Sequence, residues 1–314
     1  MTAVPLKLAS IGECMIELTV RDPRTLDLRF GGDTLNTAVY MARRLAQAGR
    51  AAQVDYVTAL GDDPYSDQMV ETWREEGLGT EMVARLPGRL PGLYMIRTDA
   101  RGERTFHYWR SAAAARDLFR APEIDRIVET LAGYDLVYVS GITLSIYDAA
   151  SRQRLFALLD RVRAAGGRVA FDSNYRPRGW PEREEARAAM IEAWRRADFG
   201  LPTFEDEQAL WDDADARATV RRLRKLGVGE VAIKRGQDPA LVAAGDGEPV
   251  EVPSLADVTP VDTTAAGDSF NAAYLVARLL GSDPLAAARA GHRVAAAVIG
   301  HPGAIVPRTA MPPD

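Results

Sequence analysis

Cysteine is almost missing from this 314-residue sequence. The one thiol, Cys14, has no partner for an internal disulfide, which excludes a disulfide-stapled scaffold and leads us to expect a reducing, cytoplasmic setting. Histidine is nearly as scarce: His107, His292 and His301 are scattered, without the spacing of a metal cluster. Lysine occurs only at Lys7, Lys225 and Lys234, and none stands in G-x-x-x-x-G-K-[ST], so there is no P-loop. No G-x-G-x-x-G follows a strand-like run, which argues against a dinucleotide dehydrogenase. No apolar run is long enough to span a bilayer, and the first five residues lack the layout of a secretory signal, so no membrane partner is expected. Positive charge is not in surplus either. A net charge of −5 excludes a broad basic surface for nucleic acid, while leaving room for a local basic pocket.

What is present is a regular alternation. Hydrophobic residues make up 47% of the chain, enough for a sizeable core. Short β-branched runs at 6–11, 54–59, 136–139, 169–171, 199–201 and 231–233 are separated by segments of helical period. In 34–46, for example, Leu35, Ala38, Val39, Ala42 and Leu45 share one face, and 151–165 and 215–226 read the same way. The alternation predicts an α/β protein: one domain over 1–314, with a mainly parallel sheet covered by helices on both faces.

Two runs, 93–98 and 105–109, break this rule: they are strand-like and joined by a turn sequence at 99–103, with no helix between them. With 15–20 they predict a small antiparallel element, a lid drawn from about 13–30 and 89–112; an edge hairpin without a role is the alternative. An exposed lid edge would let two copies of the chain pair. Parallel α/β sheets place ligands beyond the carboxyl ends of their strands. Asn36, Gly141, Asp172, Lys234 and the 262–268 segment all follow strand-like runs, so they should collect on one rim.

The most informative segment is Asp262-Thr263-Thr264-Ala265-Ala266-Gly267-Asp268-Ser269-Phe270. Residues 258–261 predict a strand that feeds a small-residue turn, which opens into a helix running to about Leu280. Such a turn aims backbone N–H groups and the positive end of a helix dipole at one point. Asp268 there is either a base that takes a hydroxyl proton or an acid that stabilises the first helical turn; spacing leaves both open.

The 262–270 segment resembles the C-terminal signature of the ribokinase-like (PfkB-type) carbohydrate kinases, usually D-T-T-G-A-G-D. The segment Phe30-Gly31-Gly32-Asp33-Thr34-Leu35-Asn36-Thr37-Ala38 resembles their N-terminal Gly-Gly…Asn signature. Longer strings at 11–18, 56–61, 89–94, 102–106, 108–110 and 174–178 are similar to a branch of that family acting on a 2-keto-3-deoxy sugar acid. The resemblance runs from about residue 6 to 311. It implies a ribokinase-like three-layer α/β/α sandwich with a small β-sheet lid, and ATP-dependent phosphorylation of a terminal hydroxyl, with Mg2+ bridging ATP oxygens.

The same resemblance implies roles for individual residues. Asp268 matches the catalytic base, and Ala265, Ala266 and Gly267 match the anion hole. Gly32, Asp33, Asn36, Tyr94, Tyr108, Arg110 and Arg176 match substrate contacts, the arginines suiting a carboxylate. Asn174, Thr203, Lys234, Arg235 and Gly236, with Ala266 and Gly267, fall on the ATP side, and Asp206 near the metal. His292, Ala295 and Ala296 fall where relatives pack adenine, or simply pack a helix. Strand alternation turns His107 away from Tyr108. The chain departs from the pattern at Asp238-Pro239-Ala240, which replaces a glycine, at Thr203-Phe204-Glu205-Asp206, which replaces Asn-x-x-Glu, and at Ala265, where a backbone role makes the lost glycine a small change. A sibling kinase for a neutral sugar and a non-catalytic sugar-acid binder are the rival readings.

Overall fold

The computed structural model describes residues 4–22, 24–98, 104–255 and 258–313. Its first half runs β1 (Leu6–Ile11), β2 (Met15–Asp22), β3 (Thr25–Gly31), α1 (Asp33–Gln47), β4 (Ala52–Leu60), α2 (Pro64–Glu75), β5 (Val83–Arg85), β6 (Gly92–Thr98), β7 (Arg104–Trp109), α3 (Ile124–Leu131) and β8 (Leu136–Ser140). Next come α4 (Gly141–Ile146), α5 (Ala149–Ala164), β9 (Arg168–Asp172), α6 (Arg183–Trp194), β10 (Phe199–Gly200), α7 (Phe204–Trp211) and α8 (Ala216–Lys225). The chain closes with β11 (Glu230–Arg235), β12 (Asp238–Ala244), β13 (Val250–Val252), α9 (Ala266–Leu279) and α10 (Pro284–Ile299).

Nine strands form one sheet in the order β13-β12-β11-β10-β9-β8-β1-β4-β5. Pairing is parallel from β11 across to β5, and the edge from β11 through β12 to β13 is antiparallel. The central strand β8 is buried at every position, as expected of a parallel strand covered on both faces. One face packs against α3, α5, α6 and α8 through Ile127, Leu155, Trp194 and Leu223. The other packs against α1, α2, α9 and α10 through Leu35, Trp73, Tyr274 and Val294. The three-layer α/β/α arrangement is thus present. Among the described residues, no helix is long and apolar enough to cross a membrane.

A second sheet, β3-β2-β6-β7, forms the lid. It is not purely antiparallel: two hairpin pairings, β2 with β3 and β6 with β7, are joined by a parallel pairing of β2 with β6. The chain leaves β2 and β3 for the main sheet before returning through β6, and this long excursion permits a parallel register. The turn expected at 99–103 lies outside the described residues. The strand expected at 258–261 is absent. Pro260 has no N–H to give a ladder, and the N–H groups of Val261 and Asp262 donate instead to the carbonyl of Ile299, at 2.7 and 3.1 Å. The C-terminal end of α10, not a strand, sets the approach to the signature turn.

That dependence makes α9–α10 packing testable. Gly291 lets α10 lie against Phe270, and a Cβ at 291 would stand 2.6 Å from the Phe270 ring. Alanine gains ~1 kcal/mol of helix propensity over glycine, but overpacking a filled core costs ~1–3 kcal/mol. Phe270 is wedged between Tyr274 and His292, so the overpacking cost should win. Gly291→Ala is expected to lower the melting temperature by a few degrees in thermal unfolding; an unchanged value would show that the ring has room to move.

Candidate active site

The carboxyl ends of the strands and the lid enclose a cleft of about 1730 Å³. Its floor is the start of α9. Ala265 caps that helix at φ 60 and ψ 14, in the left-handed region. A non-glycine residue there costs on the order of 1–2 kcal/mol, because Cβ crowds the following carbonyl. Losing the glycine is therefore not a small change: Ala265 holds a strained turn at the point where anion donors are expected. Helix geometry leaves the N–H groups of Gly267 and Asp268 without acceptors inside α9, and both residues line the cleft.

Asp268 sits in the first turn of α9, half-buried at the wall of the cleft. Asn36 Nδ2, from the first turn of α1, donates to Asp268 Oδ2 at 2.8 Å. Burial pushes the Asp268 carboxyl up to about 7, the charges of Asp33 and Asp172 add to the rise, and Asn36 and Lys234 oppose it. Asp33 is itself raised, mainly by burial, and accepts from Asn174 Nδ2 at 2.8 Å. The two signatures, 232 residues apart, thus meet in one contact. Asn174, expected on the nucleotide side, is held beside Asp33 in a left-handed conformation (φ 32) that asparagine tolerates.

Lys234 is buried beneath this floor. Its Nζ donates to Asp172 Oδ2 at 2.7 Å, the Leu201 carbonyl at 2.5 Å and Asn271 Oδ1 at 2.8 Å, which uses all three of its donors. Arg235 turns to the Pro239 carbonyl and Glu251, and Gly236 forms the β11–β12 turn at φ 58. None of these three residues lines the cleft, whereas Thr203 does. His292 Nε2 donates to the Val252 carbonyl at 3.1 Å and packs on Phe270, a helix-packing arrangement.

The lid supplies the opposite wall. Tyr94, Phe106 and Tyr108 share one face of β6 and β7, with the Tyr94 and Tyr108 rings 5.8 Å apart. His107 pairs across with Met95 and does not reach the cleft, as alternation requires. Two glutamates without a role in the sequence reading anchor this wall. Tyr94 donates its hydroxyl to Glu17, and Arg110 Nη2 donates to Glu13. Both glutamates are buried, and burial raises the Glu13 carboxyl against the pull of Arg110. Their signal was in the sequence: two acids inside the apolar stretch Ile11-Gly12-Glu13-Cys14-Met15-Ile16-Glu17 must either be exposed or be paired.

Arg176 lines the cleft and donates to Asp206 Oδ1 at 3.1 Å. Burial lifts Asp206 to about 6, with Arg176 opposing. Among the described residues no group of three or more His, Cys, Asp or Glu side chains is arranged to hold a metal ion. The donor set fits a cation that arrives on a nucleotide and keeps its waters, not one caged by protein.

The sequence matches the pfkB family of carbohydrate kinases over residues 5–311. It is 48% identical over 307 residues to the 2-dehydro-3-deoxygluconokinase of Dickeya dadantii, covering 97% of this chain and 98% of that protein. It is 47% identical over 309 residues to the enzyme of that name from Escherichia coli K12, covering 98% and 99%. The fold superposes on the crystal structure of a fructokinase with bound ATP from Xylella fastidiosa with a TM-score of 0.79 at 26% identity, covering 98% of this chain and 95% of that one.

The electrostatics of Asp268 make a stability prediction. A carboxyl held at about 7 instead of 3.8 binds its proton in the folded state over a pH range where the unfolded chain has lost it. Stability therefore falls as pH rises from about 4 to about 7, and an ionised Asp268 costs the fold on the order of 4 kcal/mol at pH 8. Asp268→Asn should raise the melting temperature by several degrees at pH 8 and by little at pH 4.5, measured by scanning calorimetry. A gain that does not depend on pH would contradict the assigned electrostatics.

Proposed function

This chain belongs to the pfkB family of carbohydrate kinases, and we propose that it phosphorylates 2-dehydro-3-deoxy-D-gluconate on its terminal hydroxyl, giving 2-dehydro-3-deoxy-6-phospho-D-gluconate and ADP. The observation that carries this reading is the polarity of the cleft. The charges acting most strongly on Asp268 are Asp33 and Asp172, opposed by Lys234, whereas Glu13 under the lid feels Arg110 and Arg116 first. A hydroxy acid would lie with its carboxylate toward the lid arginines and its hydroxyl toward Asp268.

In this reading Asp268 accepts the proton of the terminal hydroxyl as that oxygen attacks the γ-phosphorus of ATP. The bond to the β–γ bridging oxygen breaks, and ADP leaves. A carboxyl near 7 suits a general base, being ionised often enough at neutral pH and basic enough to take the proton. Asn36 fixes the carboxylate through Oδ2. The expected anion hole at Ala265, Ala266 and Gly267 is narrowed by the structure, because the Ala266 N–H donates to the Thr263 carbonyl at 3.3 Å. The N–H groups of Ala265 and Gly267 would hold the transferring phosphoryl, and preorganised donors of this kind are worth ~2.7–4 kcal/mol each. Gly32 and Asp33 face the sugar hydroxyls with Asn36, Asn174 orients Asp33, and Tyr94, Tyr108, Arg110 and Arg176 face the rest of the acid. Lys234 supports the site from below through Asp172. Magnesium, bound with ATP, supplies charge neutralisation at the phosphate oxygens, and Asp206 is the residue that would hold one of its waters. The lid excludes bulk water from the transfer. The ATP contacts assigned to Thr203, Arg235 and Gly236, a cytoplasmic setting and lid-mediated pairing of two copies belong to the same proposal.

A kinase for a neutral sugar is the second reading. It is favoured by one observation: Arg110 and Arg176 already hold protein carboxylates, Glu13 and Asp206.

An ADP-release assay over sugar acids and neutral sugars separates the two, with preference for the 2-keto-3-deoxy acid expected and preference for fructose or ribose sinking the substrate assignment. Asp268→Asn should retain sugar-acid binding and lose about 10²–10⁴-fold in kcat. In the wild type, kcat/KM should climb with pH and level off above about 7 as Asp268 ionises. An unchanged kcat in the variant, or a flat profile between pH 5.5 and 8, would remove Asp268 from the role of base.

A further inference from the structure

A sugar carboxylate entering under the lid meets arginines whose charge is already spent. Glu13 is buried with its side chain wholly inaccessible and takes Arg110 Nη2; Asp206 takes Arg176. Each pair is close to neutral, so neither by itself favours an acid over a neutral sugar. Two further arginines line the cleft, Arg116 and Arg178, and neither has an ion pair among the described residues. Arg178 is exposed, where water screens it, while Arg116 is half-buried.

Arg116 is also well placed. It lies in a short 3-10 segment, Ala114–Arg120, that begins on buried Ala114 and Ala115. Ala114 N–H donates to the Leu90 carbonyl and Arg116 N–H to the Ala113 carbonyl, which fixes the backbone from which the side chain leaves. Its charge acts on the Glu13 carboxylate alongside that of Arg110. Glu13 Oε1 and Arg110 Nε are both buried without a hydrogen-bond partner, so the Glu13–Arg110 pair is held by the single Nη2 contact and leaves hydrogen-bonding capacity on both groups unused. With Arg110 matched by Glu13, the other charges acting on Glu13 are Arg116 and, more weakly, Asp33 at the Asp268 end of the cleft, so Arg116 is the cation at the lid end that has no ion pair among the described residues.

We propose that Arg116 is a specificity-determining residue, the uncompensated cation that, beside the Glu13–Arg110 pair, receives the carboxylate of a sugar acid. The proposal rests on the sugar-acid reading above and deepens it. Arg110 supplies direction and a hydrogen-bonding edge, Arg116 supplies the cation that has no ion pair, and Glu13 keeps the two guanidinium groups from repelling each other.

The test compares wild type, Arg116→Ala, Arg116→Lys and Arg178→Ala. Each is assayed on the 2-keto-3-deoxy acid and on the neutral analogue carrying a hydroxymethyl group in place of the carboxylate, and acid binding without nucleotide is measured by calorimetry. Arg116→Ala should raise KM and the dissociation constant for the acid about tenfold, the loss of one charge-assisted contact, with kcat within about twofold and KM for the neutral analogue unchanged. Arg116→Lys should recover part of the loss. Equal effects on both substrates, no effect on the acid, or a larger acid-specific effect from Arg178→Ala would overturn the proposal while leaving an acid-preferring wild type intact. A wild type that prefers the neutral analogue would overturn the sugar-acid reading itself. Should Arg116→Ala melt well below wild type, Arg116→Gln, which keeps most of the stem, decides between the same outcomes.

Discussion

The site depends on keeping three carboxylates, Asp33, Asp172 and Asp268, together around the start of α9, with Asp172 buried and the other two half-buried at the wall of the cleft. Like charges at such distances repel, and burial adds the loss of hydration, so Asp33 and Asp268 are both raised. The assembly survives because each acid has a dedicated partner. Asn36 serves Asp268, Asn174 serves Asp33, and Asp172 receives both Lys234 and Asn271. Only Lys234 carries positive charge, and it is committed beneath the floor. The net result is one carboxyl, Asp268, poised near neutrality and facing the cleft.

The fold brings these groups together through the carboxyl-end rule of parallel sheets. Asp172 closes β9, Lys234 lies near the end of β11, Asp33 and Asn36 open α1, and Asp268 opens α9. The contact between α1 and α9 therefore does two jobs, packing one face of the sheet and joining Asn36 to Asp268. The strained Ala265 fits the same picture: a backbone cost of the kind tolerated where over-determined packing holds a functional turn in shape. Stability and chemistry pull in opposite directions here.

Much of this was legible from the residues. The alternation of β-branched runs and helical segments identified the layers, because parallel strands and amphipathic helices carry distinct periods. The gathering of Asn36, Asp172, Lys234 and Asp268 on one rim followed from strand ends alone. Other features were out of reach. The parallel β2–β6 pairing arises between segments some 75 residues apart, which no local pattern encodes. The missing strand at 258–261 was misread because β-branched residues there suit a strand, while Pro260 and the α10 terminus decide the outcome. Lys234 was expected on the ATP side because the sequence places it at a loop after a strand but does not say which way its side chain turns. Glu13 and Glu17 went unassigned for the same reason: their partners, Arg110 and Tyr94, lie 97 and 77 residues away.

The most direct test is the ionisation of Asp268 itself, followed by carbon-13 NMR of carboxyl-labelled aspartate in the ligand-free protein, with the Asp268→Asn variant assigning the resonance. The expected midpoint is near pH 7, with burial and the charge of Asp33 both contributing to the rise. A midpoint near pH 4 would mean that the pocket does not hold the proton, and the proposed base, with the polarity of the cleft that depends on it, would have to be abandoned.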